Sequence, residues 1–183
     1  MKTEFDLTVK WAHFPLHPET PIEGRPIADL FAGREEVWKN MASRLKDLMV
    51  EEGLPYGDRT HTYNSRLAQE LGKWAESQPG GEAIHLPLFQ KYFVDNLNIG
   101  SVDVLVETAR EAGLDADAAR ESLTTRACSD AVDADWQRAM ALGLNGVPTF
   151  VAGGYGLVGA QSYETLEALV RRALEEPRDL PVV

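Results

Sequence analysis

The first residues of the chain alternate between apolar and polar side chains. From Phe5 to Trp11 every second residue is apolar and those between are polar. This period of two is typical of a β-strand with one buried face. Three prolines follow between His13 and Pro21. Since proline fixes its φ angle and has no backbone N–H, we expect the chain to leave the sheet as an extended loop.

A helical period replaces this alternation further along the chain. A short helical turn is predicted between Pro26 and Gly33, followed by a long helix from about Arg34 to Glu52. Apolar residues recur in the long helix at three- and four-residue spacing, and we expect this face to belong to the core. The face consists of Val37, Met41, Leu45 and Leu48.

Further helices are predicted up to residue 142, each with a residue suited to its start. Asn64, Ser101 and Asp115 have side chains that can accept a hydrogen bond from a helix N-terminus. Pro87 would cost about 3 kcal/mol inside a helix, so a helix is expected to start or kink there. A last one runs from about Asp130 to Leu142. The middle of the chain is therefore predicted to be wholly helical.

The pattern changes again near the end. Two short strands, 147–152 and 155–159, flank Gly153-Gly154, which suits a two-residue hairpin turn with positive φ angles. A closing helix is predicted over 162–174. A strand, about a hundred residues of helices, a hairpin and a helix form an α/β pattern with a helical insertion too long for a simple crossover connection.

Composition narrows the classes of function. The chain has 183 residues and a net charge of -11, so repulsion of phosphates argues against nucleic acid and anionic lipid as partners. No apolar run reaches the roughly 18 residues of a membrane span, and the start does not resemble a secretion signal, so a cytoplasmic location is predicted. The only cysteine is Cys128, which excludes an intramolecular disulfide, and no metal site is predicted.

Four segments together resemble the DsbA family of thioredoxin-fold oxidoreductases, in particular its FrnE-like branch. This branch is related to hydroxychromene-carboxylate isomerases and kappa-class glutathione transferases. The resemblance covers nearly the whole chain and implies a thioredoxin-like domain formed by residues 1–25 and 130–183, with a helical insertion domain at 26–129. The segments are Phe14-Pro15-Leu16-His17-Pro18-Glu19-Thr20-Pro21, Asn64-Ser65-Arg66-Leu67-Ala68, Gly143-Leu144-Asn145-Gly146-Val147-Pro148-Thr149-Phe150-Val151 and Val158-Gly159-Ala160-Gln161.

The resemblance also implies a strand and a helix with a Cys-x-x-Cys motif ahead of residue 5, and this sequence lacks them. Disulfide exchange needs a low-pKa thiolate and a second thiol, so no catalytic residue is predicted in this chain. In the family fold the absent strand lies between the 5–11 strand and the hairpin. Its absence would leave unpaired backbone, and we expect strand swapping or a homodimer to fill the slot.

The substrate-binding candidates are Val147, Pro148 and Asn64. Most X-Pro bonds are trans, but the resemblance implies a cis Pro148 that turns the backbone N–H and C=O of Val147 toward an extended peptide or glutathione. Asn64 is assigned either to a helix cap or to a groove for a thiol substrate, with the cap favoured.

Other candidate residues have simpler interpretations. His13 and His17 are four residues apart, but Pro15 between them excludes a regular helix, so metal binding is not expected. Cys128 is interpreted as a small buried apolar residue. His61 and Tyr63 are interpreted as ordinary loop residues.

Three functions follow from these observations, and whether the chain by itself is an enzyme is left open. The first is thiol–disulfide exchange on protein substrates, with Val147 and Pro148 holding the substrate strand. The second is a glutathione-dependent isomerase or transferase, with glutathione as the only cofactor considered. The third is a non-catalytic binding or scaffold protein of thioredoxin fold.

Overall fold

The computed structural model describes residues 4–178, and the chain forms two compact units. One unit, here called the helical unit, comprises His17–Val132. The other, here called the hairpin unit, comprises the residues up to Leu16 together with those from Asp133 onward. None of the described helices is long and apolar enough to cross a bilayer.

The helical unit consists of short helices and one pair of very short strands. The strands, β1 at Arg25–Pro26 and β2 at His61–Thr62, pair antiparallel, so the prediction of a wholly helical middle is wrong at this point. The helices are α1 at Ile27–Leu30, α2 at Glu35–Glu51, α3 at Arg66–Ala75, α4 at His85–Phe93, α5 at Val102–Glu111, α6 at Ala116–Thr125 and the start of α7 at Ser129–Ala141.

Helix starts follow local chemistry. At α6 the Oδ1 of Asp115 accepts hydrogen bonds from the backbone N–H groups of Asp117 and Ala118 at 2.9 and 3.0 Å, which satisfies donors that a helix leaves open at its N-terminus. Pro87 occupies the third position of α4, inside the first turn, where its missing N–H breaks no intrahelical bond. Both helices therefore begin near the residues that their sequences predict.

The core of the helical unit lies between α3, α5 and α6. Its largest fully buried aliphatic side chains are Leu71, Ile84, Leu105 and Leu123. Fully burying an aliphatic side chain of this size contributes about 1.5–3 kcal/mol. This cluster is the main source of stability in the unit.

The apolar face of α2 does not take part in this core. No residue of α2 is buried, and Val37, Met41, Leu45 and Leu48 are 50, 55, 38 and 43% exposed. The expectation that this face is core is therefore wrong. A helical period shows that one face is apolar, but it does not show that the same chain covers that face.

The hairpin unit contains β3 at Thr149–Ala152, β4 at Tyr155–Val158 and α8 at Tyr163–Glu175. Residues 5–11 form no strand, so that prediction is wrong. A strand requires a neighbour for its backbone hydrogen bonds, and β3 and β4 pair only with each other in the described part of the chain.

A buried carboxylate joins α3 to the α6–α7 connection. Glu70 is 2% exposed, and its oxygens accept hydrogen bonds from Nε of Arg66 at 2.7 Å and from Nε and Nη2 of Arg126 at 2.6 Å each. Arg66 also donates to the backbone oxygen and the hydroxyl of Ser129 at 2.8 and 2.9 Å. Burial acts to raise the pKa of Glu70, but the hydrogen bonds from Arg126 and Arg66 outweigh it and hold that pKa below its ordinary value.

We expect Glu70→Gln to lower the free energy of unfolding by roughly 2–4 kcal/mol near neutral pH, because it leaves two guanidinium groups without their carboxylate. The folded-state pKa of Glu70 is depressed, so its stabilisation is complete above the unfolded-state pKa of about 4.3 and is lost as pH falls through the folded value. Urea unfolding over a pH series should show the wild type and the variant converging in acid.

Glu76→Gln is the matched control on the C-terminal side of α3. Glu76 pairs with Lys73 at 3.2 Å with 39% of its side chain exposed, so its loss should change stability by less than about 1 kcal/mol. Equal effects of the two substitutions would show that the Glu70 network adds nothing beyond a surface ion pair.

Candidate functional site

The β3–β4 hairpin has a well-defined register. Thr149 pairs with Val158 and Ala152 with Tyr155, across a turn formed by Gly153-Gly154, whose φ angles are +50° and +76°. Glycine adopts such angles without strain because it has no Cβ atom. A Cβ atom on Gly153 would also lie 2.7 Å from the Cβ of Ala173, so the turn packs directly on α8.

One edge of β3 is open. In a two-residue hairpin the closing pair is hydrogen-bonded and the pairs alternate outward from it. The hydrogen bond from Gly159 N to Pro148 O at 2.7 Å fits this alternation, because Pro148 lies four residues before Ala152 of the closing pair. The backbone N–H and C=O of Thr149 and Val151 therefore point away from β4, and no described strand lies on that side.

The predicted binding residues Val147 and Pro148 lead directly into this open edge. Their peptide bond is cis, and Val147 is 48% exposed. The segment is held at both ends, since the Thr149 hydroxyl donates to Gly146 O at 2.7 Å and Pro148 O accepts from Gly159 N. The edge is thus accessible and has fixed geometry.

Helix α8 and the residues that follow it support the hairpin at its turn. Arg178 N donates to Gly153 O at 2.9 Å, and the Tyr155 hydroxyl donates to Glu176 O at 2.8 Å. The guanidinium of Arg172 also lies 4.3 Å from the Tyr155 ring centroid, close enough for a cation–π contact. These contacts fix the end of the hairpin remote from Val147.

Helix α8 contacts the first described residues. The Tyr163 hydroxyl donates to the Glu4 carboxylate, and the Arg171 guanidinium lies 5.2 Å from the Phe5 ring centroid. Hydrogen bonds from the helix backbone and the Ser162 hydroxyl lower the pKa of Glu164 in the first turn of α8. The segment that begins at residue 4 thus lies along α8 without being a strand.

Asn64, in the helical unit, bonds with both ends of its side-chain amide. Its Oδ1 accepts from Arg66 N at 2.9 Å, which is an Asx turn just ahead of α3; the N-cap position itself is Ser65, which makes no side-chain capping bond. Its Nδ2 donates to Thr20 O at 2.7 Å and so fixes the proline-rich loop. Contact between Asn64 and a substrate stays a prediction.

The remaining candidates have structural contacts. His61 stacks on Tyr63 with ring centroids 5.9 Å apart, and Cys128 is partly buried against the helical core. The backbone N–H of His13 donates to Asp135, and His17 lies 3.5 Å from Glu19. Within residues 4–178 no group of three or more His, Cys, Asp or Glu side chains is arranged to hold a metal ion.

Sequence reasoning missed a groove beside α2 in the helical unit. Its volume is about 460 Å³. The apolar period of α2 carries the signal, but a period alone does not distinguish the lining of a groove from a core face. The lining residues are Trp38, Met41, Ala42, Arg44, Leu45, Leu48, Tyr56 and Arg59.

Comparisons with known proteins agree with the fold. The family model of the DSBA-like thioredoxin domain matches residues 1–171. The uncharacterized protein YwbO of Bacillus subtilis (strain 168) is 28% identical over 167 residues, which are 90% of this chain and 82% of that protein.

The crystal structure of a probable DsbA oxidoreductase from Streptomyces coelicolor superposes with a TM-score of 0.81 at 28% identity. It covers 92% of this chain, and this chain covers 76% of it. The fold is the DsbA-like thioredoxin fold, mostly helical with small sheets. The chain therefore belongs to the family of DsbA-like thioredoxin domains.

Proposed function

We propose that this protein takes part in thiol–disulfide exchange as a DsbA-like oxidoreductase of the FrnE-like branch, and that the open edge of β3 holds an extended segment of its protein substrate. The observation that carries the proposal is the outward direction of the N–H and C=O groups of Thr149 and Val151, next to the exposed Val147. The similarity to a probable DsbA oxidoreductase supports the chemistry.

An open strand edge binds peptides by adding a strand. The backbone groups of the peptide pair with those of the edge, and the side chains contribute selectivity. Each such hydrogen bond contributes a net of about 0.5–1.5 kcal/mol, so a few of them give weak, reversible binding. Binding of this kind suits an enzyme that acts on many unrelated cysteine-containing segments.

The exchange chemistry requires two thiols. A thiolate attacks the disulfide, and a second thiol resolves the mixed disulfide that results. The sequence contains one cysteine, Cys128, which is partly buried in the helical unit. We propose that the reacting dithiol is a Cys-x-x-Cys on a strand–helix unit that precedes Met1 in the cellular protein.

We expect Val151→Pro to abolish peptide binding at the β3 edge while leaving the hairpin folded. The N–H of Val151 points away from β4, so proline removes an edge donor without breaking a hairpin bond. The matched control is Val158→Pro, which removes an outward N–H from the opposite edge of the hairpin. The probe is a fluorescently labelled extended peptide of alternating valine and threonine with one S-methylated cysteine, followed by anisotropy.

Binding that survives Val151→Pro but not Val158→Pro would place the peptide on β4 and refute the proposed edge.

Sedimentation of the wild type and the two proline variants tests the predicted homodimer. If β3 pairs with a second copy, only Val151→Pro should yield a monomer, and the peptide should then compete with dimerisation. Calorimetry with reduced glutathione tests the glutathione-dependent alternative. That alternative requires measurable heat of binding at millimolar glutathione, and no heat would count against it.

The dithiol proposal has its own measurement. The N-terminus and intact mass of the protein made from its own gene in its own cells should show an additional βα unit of roughly 30 residues, and thiol titration should find two further cysteines. A product of 20.2 kDa with a single thiol would rule out dithiol exchange and leave peptide binding as the function.

A further inference from the structure

Helix α2 is a 17-residue helix without a buried residue. Helices of this length are only marginally stable in water, and most helical stability in proteins comes from packing of the apolar face. The apolar stripe of α2 remains between 38 and 55% exposed at its four central aliphatic positions. The stripe can therefore become buried only if another surface packs on α2.

Two arginines line the groove beside this stripe without a carboxylate partner. The guanidinium of Arg59 lies 4.2 Å from the Tyr92 ring centroid and 5.1 Å from that of Phe93, and its Nη2 donates to the Tyr92 hydroxyl at 2.5 Å. Its Nε is buried and has no hydrogen-bond acceptor in the described structure. Among residues 4–178 no ion pair includes Arg59 or Arg44.

The charge of the groove is opposite to that of the chain. Acidic residues outnumber basic ones by 29 to 18 in the sequence, yet the groove lining contains two arginines and no Asp or Glu. A cationic patch next to an apolar stripe is complementary to a surface that is apolar along its centre and acidic at its border.

We propose that the groove beside α2 binds an amphipathic helix of a partner protein that carries acidic residues along the border of its apolar stripe. The apolar residues of α2 that line the groove are Trp38, Met41, Leu45 and Leu48. Their spacing of three, four and three residues is that of a helix–helix seam. Ala42 also lines the groove beside this seam, and its small side chain leaves room for a partner backbone.

A second copy of the chain fits this surface less well. Antiparallel pairing of α2 with itself places Trp38 opposite Leu48 and Met41 opposite Leu45, so the two-fold axis lies near residue 43. The two copies of Arg44 would then face each other across the seam, and like charges in such a position are unfavourable. A small amphiphile would fill the groove but leave Val37, which is 50% exposed, outside it.

Binding of two synthetic helical peptides to the whole chain tests the proposal. Both have leucine at the two core positions of each heptad, and they differ only in having glutamate or lysine at the flanking positions. We expect the glutamate peptide to bind about tenfold more tightly than the lysine peptide at low salt, and salt to reduce this difference. Equal affinities, or no binding of the glutamate peptide, would overturn the proposal.

Three variants locate the binding site. Arg44→Gln should weaken the glutamate peptide about threefold without weakening the lysine peptide, and Met41→Glu should abolish binding of both. Lys39→Gln is the control, because Lys39 is also on α2 but pairs with Glu36 at 2.7 Å and does not line the groove; it should change neither affinity. Circular dichroism checks that each variant folds.

Sedimentation completes the test. Met41→Glu should leave the oligomeric state of the chain unchanged, whereas a wild-type dimer that Met41→Glu dissociates would show that a second copy occupies the groove and would overturn the proposal. The test does not depend on thiol–disulfide exchange, because it requires no thiol and no residue of the β3 edge.

Discussion

The backbone of β3 carries hydrogen-bonding groups on both sides, and the described residues satisfy only those that face β4. This imbalance accounts for several features of the hairpin unit. Residues 5–11 have the alternation of a strand but lack a partner, so they remain outside any sheet. The same unpaired groups give the unit its capacity to bind an extended chain. A strand edge with unsatisfied N–H and C=O groups will pair with whichever chain reaches it first, whether substrate, second copy or a strand of its own protein.

The helical unit differs from the hairpin unit, because the contacts that stabilise it are made among its own residues. Its core is closed by α3, α5 and α6 around Leu71 and Leu105, and the Glu70 network connects α3 to the start of α7. Removing a partner from a buried charge cluster is costly, whereas the cluster itself adds little over an apolar contact of the same shape. Its contribution is therefore mainly geometric, because the bonds from Arg66 to Ser129 and from Arg126 to Glu70 fix the end of α6 and the start of α7 against α3.

Features set by neighbours in sequence were predictable, and features set by distant partners were not. The Asp115 cap and the Gly153-Gly154 turn depend on a few adjacent residues, so the sequence identifies both correctly. The pair β1–β2 was missed, because two-residue strands are too short to show a period. Of the candidate site, the sequence pointed to Val147 and Pro148 through a resemblance. It could not reveal the direction of the edge groups, which depends on the register with β4.

Helix α2 shows the same limit of prediction from sequence. The period of α2 correctly indicates where the apolar face lies, and the helix bounds are within one residue of those predicted. The period does not show which surface covers this face, because an apolar stripe suits an interface with another molecule as well as it suits a core. Charge resolves part of this ambiguity. Arg44 is exposed, Arg59 is half-buried, and neither forms an ion pair among the described residues, so the groove is complementary in charge to the acidic border of the proposed partner helix.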